Sequence, residues 1–311
     1  MSARQRRPTV TQPRSDVVGA VLAVVSGVSY GFTVLFGKVL ARDGVDSATA
    51  LSLRFLAAAG LVAVVQALRR GPLRPASGEW LVVVLLGGVG YAIESMLFYL
   101  GLQNMGAAAV GLVFYSYPAF VAVADVAVGQ VRPTWRVVAA VALSILGVAG
   151  VVAAGGDTRV TALGVVFALG SAVTFTVYML ASHRFVRVSD PWATAVWLSL
   201  GAGVSHLARG VVSGSFDIPA AATIGPFLGY GVATGVAFAA LYAGLPRLGP
   251  TRTAVLLNIE VVTTVVLAAV FLDERLLPLQ LAGGVGVALG AVFATLGPAR
   301  PTPELAEAPA P

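Results

Sequence analysis

The sequence predicts an all-α polytopic membrane protein in which ten transmembrane helices form two inverted repeats of five helices each. The first observation is composition: 58% of the 311 residues are hydrophobic and 11% are charged, whereas a soluble domain carries about 25% charged residues. The second is a series of apolar blocks of roughly 20 residues, the length that spans a bilayer. The third is an internal repeat, whose odd number of helices inverts the second copy in the membrane.

Each predicted helix is an apolar block, and the weakest is the seventh, where His206 and Arg209 lie near its end. Membrane barrels are built from strictly alternating strands of about ten residues, a pattern that these blocks do not show. The blocks cover approximately residues 17–38, 48–68, 80–102, 106–128, 136–154, 162–182, 192–212, 223–245, 253–272 and 279–297.

Four segments follow from these blocks. Residues 1–16 form a basic cytoplasmic tail, 17–154 the first five-helix repeat and 155–297 the second. Residues 298–311 are rich in Pro, Ala and Glu and are expected to be disordered. The first block is too long for a signal peptide and more apolar blocks follow it, so we expect no cleavage.

The repeat is found by aligning the chain with itself. A shift of 143 positions matches the later parts of the two halves without a gap, and a shift of 145 matches the earlier parts. The matched pairs include Tyr99 with Tyr242, Gly101 with Gly244, Gly147 with Gly290, Gly19 with Gly164 and Ser26 with Ser171.

Basic residues predict the orientation. With the N-terminus inside, the cytoplasmic segments hold fourteen Lys and Arg residues and the opposite side holds five. The positive-inside rule therefore predicts an inner-membrane protein with both termini in the cytoplasm. The excess positive charge then reflects topology and contact with the lipid bilayer, and we expect no nucleic-acid partner. The five residues on the outer side are Lys38, Arg42, Arg159, Arg209 and Arg275.

Several classes of site have no basis in the sequence. The chain has no Cys, which excludes disulfides, thiolate metal ligands and cysteine nucleophiles. The two histidines, His183 and His206, are far apart, so we predict no metal site. No Walker-type loop, HExxH or GxSxG occurs, and we predict neither a cofactor nor ATP-driven transport.

Glu94 lies near the middle of the third block and is the first candidate for a cargo contact. An ionisable group inside a bilayer costs at least about 2.5 kcal/mol and needs a partner or a wet cavity. Tyr91, Glu94, Ser95 and Phe98 share one helical face. This stripe suits a cavity wall, where Glu94 either binds an amino group of the cargo or exchanges a proton. The alternative is a buried carboxyl that a neighbouring helix satisfies.

Glu260 is the second candidate, beside Asn258 in the ninth block. Its repeat mate is Tyr117, which with Pro118 should interrupt the fourth helix. Paired positions near the repeat axis are where such folds build binding sites. A structural role, in which Glu260 holds helix ends together, remains the alternative.

Two further ionisable residues have weaker claims to a site. Arg54 lies in the second block, and the favoured interpretation is a structural ion pair with an acidic residue, because buried Arg seldom lacks a partner. Asp125 lies at the inner end of the fourth block and should reach cytoplasmic water.

Aromatic residues inside the predicted helices suggest the rest of the cavity wall. An interior Tyr needs a partner for its hydroxyl, and helix packing is the alternative for any single ring. A wall with few charges favours a zwitterionic or moderately apolar solute over a phosphorylated one. Besides Tyr91 and Phe98, the candidates are Tyr30, Tyr115, Tyr117, Phe175, Tyr178, Phe238 and Tyr242.

Three motifs resemble a known family. The segments Gly106–Ala109 and Ser116–Phe120, the segment Asn258–Glu260 with Phe271–Leu276, and Arg54-Phe55 are similar to EamA-type members of the drug/metabolite transporter superfamily. The resemblance implies a ten-helix permease whose first, third, fourth, sixth, eighth and ninth helices line a central cavity. The family commonly has Glu-Pro where this chain has Glu260-Val261, so the kink expected there is absent or displaced.

A secondary transporter is the function that these features favour. We expect an exporter of a small organic metabolite, such as an amino acid or an amphipathic drug-like solute, that works by alternating access with protons as a possible coupling ion. We expect a monomer or weak dimer. The alternatives are a membrane-embedded enzyme, which would need a polar reactive cluster, and a non-transporting receptor, which leaves the repeat unexplained.

Overall fold

A computed structural model describes residues 12–127, 135–153, 160–186, 188–248 and 256–295. The predicted C-terminal tail and residues 1–11 of the predicted N-terminal tail lie outside these ranges. All regular secondary structure in the described ranges is helical. The all-α class is therefore confirmed for this part of the chain.

Twelve α-helices, numbered in chain order, are present in the described ranges. A π-helical turn, Leu86–Tyr91, joins α3 to α4, and a short 3-10 turn, Ala221–Thr223, precedes α10. The α-helices are α1 (Gln12–Arg42), α2 (Ser47–Leu68), α3 (Trp80–Leu85), α4 (Ala92–Asn104), α5 (Ala107–Phe114), α6 (Tyr117–Ala127), α7 (Trp135–Ala153), α8 (Ala162–Phe185), α9 (Pro191–Ser213), α10 (Ile224–Leu248), α11 (Ile259–Phe271) and α12 (Pro278–Thr295).

The described segments contain seven helical stretches that are long and apolar enough to cross a membrane. They correspond to the first four and the sixth to eighth predicted blocks. Three shorter apolar helices, Val138–Val151, Ile259–Phe271 and Pro278–Gly290, correspond to the other three. The chain is therefore a multi-spanning helical membrane protein, while the count of ten spans remains a prediction.

The first helix is longer than the sequence indicates. We expected it to end near residue 38, but α1 continues to Arg42 and a glycine of positive φ, Gly44, follows it. Lys38, the last residue of the predicted block, thus lies one turn before the end of α1 and is buried. Its ammonium group donates to the main-chain oxygens of Leu102 and Met105 at 2.5 and 2.6 Å, so acceptors within the protein take two of its three N–H donors.

Two helix interruptions occupy matched positions of the sequence repeat. The fourth predicted block breaks at Tyr115–Ser116, and Pro118 falls in the first turn of α6, where its missing N–H is not needed. The ninth block is interrupted at Asn258, directly before α11. Asn258 is 143 positions after Tyr115. The break next to Glu260 therefore forms without the family's proline.

Each of the main helix contacts has a counterpart between the repeat mates of the same two helices. α1 packs along α10, and the matched pair α8 and α4 does the same. α2 packs on its repeat mate α9, and α7 packs on its repeat mate α12. In α1 and α10 the N-terminal Gly19 lies by Gly244 and the later Gly37 lies by Tyr230, so this pair is antiparallel.

Glycine is required where α7 crosses α12. A Cβ atom on Gly147 would lie 2.5 Å from the main-chain oxygen of Gly283, and a Cβ on Gly283 would lie 2.5 Å from that of Gly147. Backbone atoms cannot move away as a side chain can. The helices therefore depend on both glycines for this close approach, as small residues allow in membrane bundles.

Substitution of Gly147 by Ala should lower the free energy of unfolding by about 1–3 kcal/mol, because the added methyl group overpacks the crossing. Gly60 in α2 is the control, since a Cβ there meets nothing within 4 Å. Gly60→Ala should be neutral or stabilise the helix by up to about 1 kcal/mol. Thermal denaturation of both purified variants in detergent compares them, and equal stability would contradict the close crossing.

Candidate functional site

The predicted cavity aromatics form one connected network of ring contacts. Neighbouring ring centroids are 4.9 Å apart for Tyr117 and Phe175 and 6.3 Å apart for Phe238 and Tyr242, and most pairs have the edge-on or tilted geometry that aromatic quadrupoles favour. Phe114, a further aromatic residue inside the fourth predicted block, connects Phe98 to the rest. The network joins Tyr30, Tyr91, Phe98, Tyr115, Tyr117, Phe175, Tyr178, Phe238 and Tyr242.

Glu260 is held at one side of this network by Tyr115. The Tyr115 hydroxyl is 2.8 Å from Oε2 of Glu260 and 3.1 Å from the main-chain oxygen of Leu257. Both acceptors lie at the interruption before α11, and Tyr115 itself lies at the interruption between α5 and α6. The two breaks therefore face each other, and Tyr115 at the first break supplies a hydrogen-bond donor to the main-chain oxygen of Leu257 at the second.

The hydroxyl of Tyr115 has one hydrogen and two acceptors within reach. When Glu260 is ionised, the hydroxyl can donate to its carboxylate. When Glu260 is protonated, the carboxyl can donate to the tyrosine oxygen while the hydroxyl turns to Leu257. Both protonation states thus have a satisfied arrangement, which suits a group that takes up and releases a proton.

Glu94 is buried between α4 and α8. Its Oε1 accepts a hydrogen bond of 2.8 Å from the hydroxyl of Ser171. In the other half, Ser26 is the repeat mate of Ser171 and Ala237 is the repeat mate of Glu94. There Ser26 also reaches the neighbouring helix, where it donates to the main-chain oxygen of Ala237 at 2.8 Å. The acid thus occupies a position where the other repeat carries Ala.

Ser95, which shares the predicted stripe with Glu94, contacts a different helix. Its hydroxyl donates to the main-chain oxygen of Tyr91 and lies 3.1 Å from Nε2 of His206 in α9. The His206 ring stacks on Phe55 at 6.1 Å. The structure therefore brings Tyr91, Glu94 and Phe98 towards the aromatic network, while Ser95 helps to join α4 to α9.

Arg54 has hydroxyl partners where the sequence favoured a carboxylate. Its Nε donates to Thr234 at 2.8 Å and its Nη1 donates to the Tyr230 hydroxyl at 2.9 Å. The guanidinium carbon lies 4.7 Å from the centre of the Phe55 ring and 4.5 Å from that of Tyr230. Within the part of the chain that the structure describes, no carboxylate oxygen lies within 4.0 Å of its nitrogens.

An end cluster of Lys38, Arg42 and Glu274 closes the bundle where α4 turns into α5. Glu274 accepts hydrogen bonds from the main-chain N–H groups of Ala107 and Ala108 at the start of α5. Arg42 lies 3.6 Å from the Glu274 carboxylate and donates to the main-chain oxygen of Leu272. Together with the bonds of Lys38 to the end of α4, these contacts connect α1, the α4–α5 turn and the segment after α11.

Other predicted residues are less informative. Asn258 forms the turn before α11, and Pro118 begins α6. The side chain of Asp125 lies outside the described residues. Sequence reasoning did not single out Ser171, Tyr230 or Thr234, whose hydroxyls satisfy the buried charges. Only Ser171 had a signal, because it is the repeat mate of another membrane-embedded serine, Ser26.

These features define a multi-spanning membrane protein whose polar groups converge on an aromatic interior between its two matched halves. The chain belongs to the EamA-like transporter family, whose model matches residues 17–153 and again residues 162–296. The family predicted from the sequence motifs is confirmed, and the protein is a membrane transporter.

Two further proteins are similar to this chain, one in sequence and one in fold. A protein of Streptantibioticus cattleyicolor, described as a "Probable terminal-alkyne amino-acid exporter", is 29% identical over 260 residues, which cover 79% of this chain and 84% of that protein. A crystal structure of a further protein has a TM-score of 0.62, covering 92% of this chain and 99% of that one at 19% identity. The second likeness concerns the fold alone.

Tyr115→Phe should lower the free energy of unfolding by about 1–3 kcal/mol, because it leaves Glu260 and Leu257 short of a buried donor. Tyr117→Phe is the matched control, since the Tyr117 hydroxyl makes no hydrogen bond among the described residues. Thermal unfolding of the two purified variants should separate them. Equal loss from both would mean that the bond from Tyr115 does not hold the helix breaks together.

Proposed function

We propose that this protein exports a small amino-acid-like solute from the cytoplasm by alternating access through its centre. The observation that supports this proposal is the connected aromatic network with two carboxylates beside it, the buried Glu94 and the half-buried Glu260. Aromatic faces bind apolar side chains and cations, and a carboxylate binds an ammonium group. The interior thus has the groups that an amphipathic, amino-bearing solute needs.

The relatives support this substrate class. The family consists of transporters, and the similar protein from Streptantibioticus cattleyicolor is named for the export of an amino acid with a terminal alkyne. A terminal alkyne is a short, linear and apolar group that fits against aromatic rings. Among the described residues, the rings of the network contact no cluster of several Lys or Arg side chains of the kind that phosphate recognition uses.

The proposed architecture is ten helices in two inverted repeats with both termini in the cytoplasm of an inner-membrane protein. Support comes from the two separate family matches, from helix pairs that map onto each other when the halves exchange, and from the excess of basic residues in the predicted cytoplasmic loops.

In this architecture the end cluster is the outer gate. Opening to the outside would separate Glu274 from the start of α5 and Lys38 from the end of α4, and water would then hydrate both charges. The repeat mate of Glu274 is Val131. The sequence repeat therefore does not supply an equivalent acid in the first half.

Solute flux tests this function directly. Inside-out membrane vesicles that contain the protein should accumulate L-propargylglycine, an amino acid with a terminal alkyne, several-fold over vesicles without it. The alkyne allows detection of the intact solute by azide coupling. Recovery of a modified product would indicate an enzyme, and saturable binding without accumulation would indicate a receptor.

Glu260 is proposed as the proton-coupling group, because Tyr115 can satisfy either of its protonation states. Glu260→Gln should abolish the stimulation of uptake by an acidic vesicle lumen while exchange of solute across the membrane continues. Asp217→Asn, at an exposed loop position, is the control that removes a carboxyl elsewhere. A normal response to the pH gradient in Glu260→Gln, at equal protein level, would remove this residue from the coupling step.

A further inference from the structure

Arg54 is a buried cation whose charge the described residues do not neutralise. Its two hydrogen bonds go to the hydroxyls of Thr234 and Tyr230, and it lies between the faces of Phe55 and Tyr230. These contacts fix the plane of the guanidinium, but hydroxyls and rings carry no negative charge. No hydrogen bond to a described residue uses its Nη2. A buried arginine that is oriented in this way is prepared for a carboxylate, which it binds through two parallel N–H groups.

Glu94 is the opposite charge in the same part of the interior. Only one of its oxygens accepts a hydrogen bond within the described chain, from Ser171. No nitrogen of Arg54 lies within 4.0 Å of the Glu94 carboxylate. A direct ion pair, the usual solution for two buried charges, is therefore not made.

An aromatic bridge connects the two charged residues. Tyr91, one turn before Glu94, packs edge-on against Phe55 at 5.5 Å, and Phe55 is the ring beneath the Arg54 guanidinium. Tyr91 also contacts Tyr178 and Phe238 of the aromatic network. The two unpaired charges thus stand at the edge of the proposed substrate path, with rings between them.

We propose that Arg54 and Glu94 together bind a zwitterion, Arg54 taking the carboxylate and Glu94 the ammonium group of one amino-acid solute. This inference rests on the proposed function and specifies its substrate class. One such solute neutralises both residues at once, which neither an amine nor an acid alone can do. The solute side chain would then lie against the aromatic rings, where apolar contacts discriminate weakly between similar groups.

Three related probes test the assignment: L-propargylglycine, but-3-yn-1-amine, which lacks its carboxylate, and pent-4-ynoic acid, which lacks its amino group. Titration calorimetry on the purified full-length chain avoids leakage of the two smaller probes across a membrane. Wild-type protein should bind propargylglycine about ten- to a hundred-fold more tightly than either, the effect of one hydrogen-bonded charge.

The variants assign each charge separately. Arg54→Gln should bind propargylglycine and butynylamine with similar affinity, because the carboxylate no longer adds to binding. Glu94→Gln should instead bind propargylglycine and pentynoic acid alike. Arg54→Lys keeps the charge without the planar fork, and it should weaken propargylglycine binding several-fold while leaving butynylamine binding unchanged.

Several outcomes would overturn the inference. Equal weakening of all three probes by Arg54→Gln would indicate a structural role. If the variants do not fold, the wild type decides the question, because equal affinity for propargylglycine and butynylamine rules out carboxylate recognition. Failure of the proposed function is a separate result: wild-type vesicles would then not accumulate propargylglycine at all. A third result is that vesicles accumulate propargylglycine while Arg54→Gln distinguishes the three probes as well as the wild type does. The proposed function would then be supported, and Arg54 would not belong to the binding site.

Discussion

The structure depends on one constraint, which is that polar groups surrounded by hydrocarbon must find their partners within the protein. Two departures from a regular apolar helix show how such partners are supplied. Lys38 inside α1 is tied to main-chain oxygens at the end of α4. The interruption before α11 exposes the oxygen of Leu257, and Tyr115 donates to it. The chain can thus carry breaks and charges inside the membrane because other helices complete them.

Because of the same constraint, the site forms only when the helices pack together. The bonds that satisfy Glu94, Glu260 and Arg54 connect residues 77, 145 and 180 positions apart in the sequence. None is a local contact, so each forms only when the helices have assembled. The hydrogen-bonded site therefore depends on the packing of the helices that carry these residues.

The sequence predicts the helices well because hydropathy and length are the physical conditions for crossing a bilayer. It misplaces the end of α1, since a lysine normally indicates a loop and its acceptors lie in a distant helix. The π-helical turn at Leu86–Tyr91 is also missed, because its residues are as apolar as those around it. There Gly87 lies against the backbone of Leu198, so that a side chain would collide, and this approach depends on α9.

The sequence predicted the charged and aromatic residues of the candidate site, but it did not predict the hydrogen-bond partners of the charged residues. Glu94, Glu260 and Arg54 stand out because ionisable residues are rare in apolar blocks. Their actual partners, among them Ser171, Tyr230 and Thr234, are hydroxyl residues that occur widely in membrane helices and give no signal on their own. The expected ion pair of Arg54 failed for this reason: a hydroxyl pair and two rings orient the guanidinium instead.

The paired serines Ser26 and Ser171 bear on how a solute can lie in the protein. Both reach across to the neighbouring helix at matched positions, but one meets a main-chain oxygen and the other meets the Glu94 carboxylate. Two identical halves would offer a solute two equivalent poses, one the reverse of the other across the bilayer. At this pair of positions only the first half carries a carboxylate, so a solute in the reverse pose would meet Ala237 where the proposed pose meets Glu94. The proposed site would therefore hold an amino-acid solute in one orientation relative to the two halves.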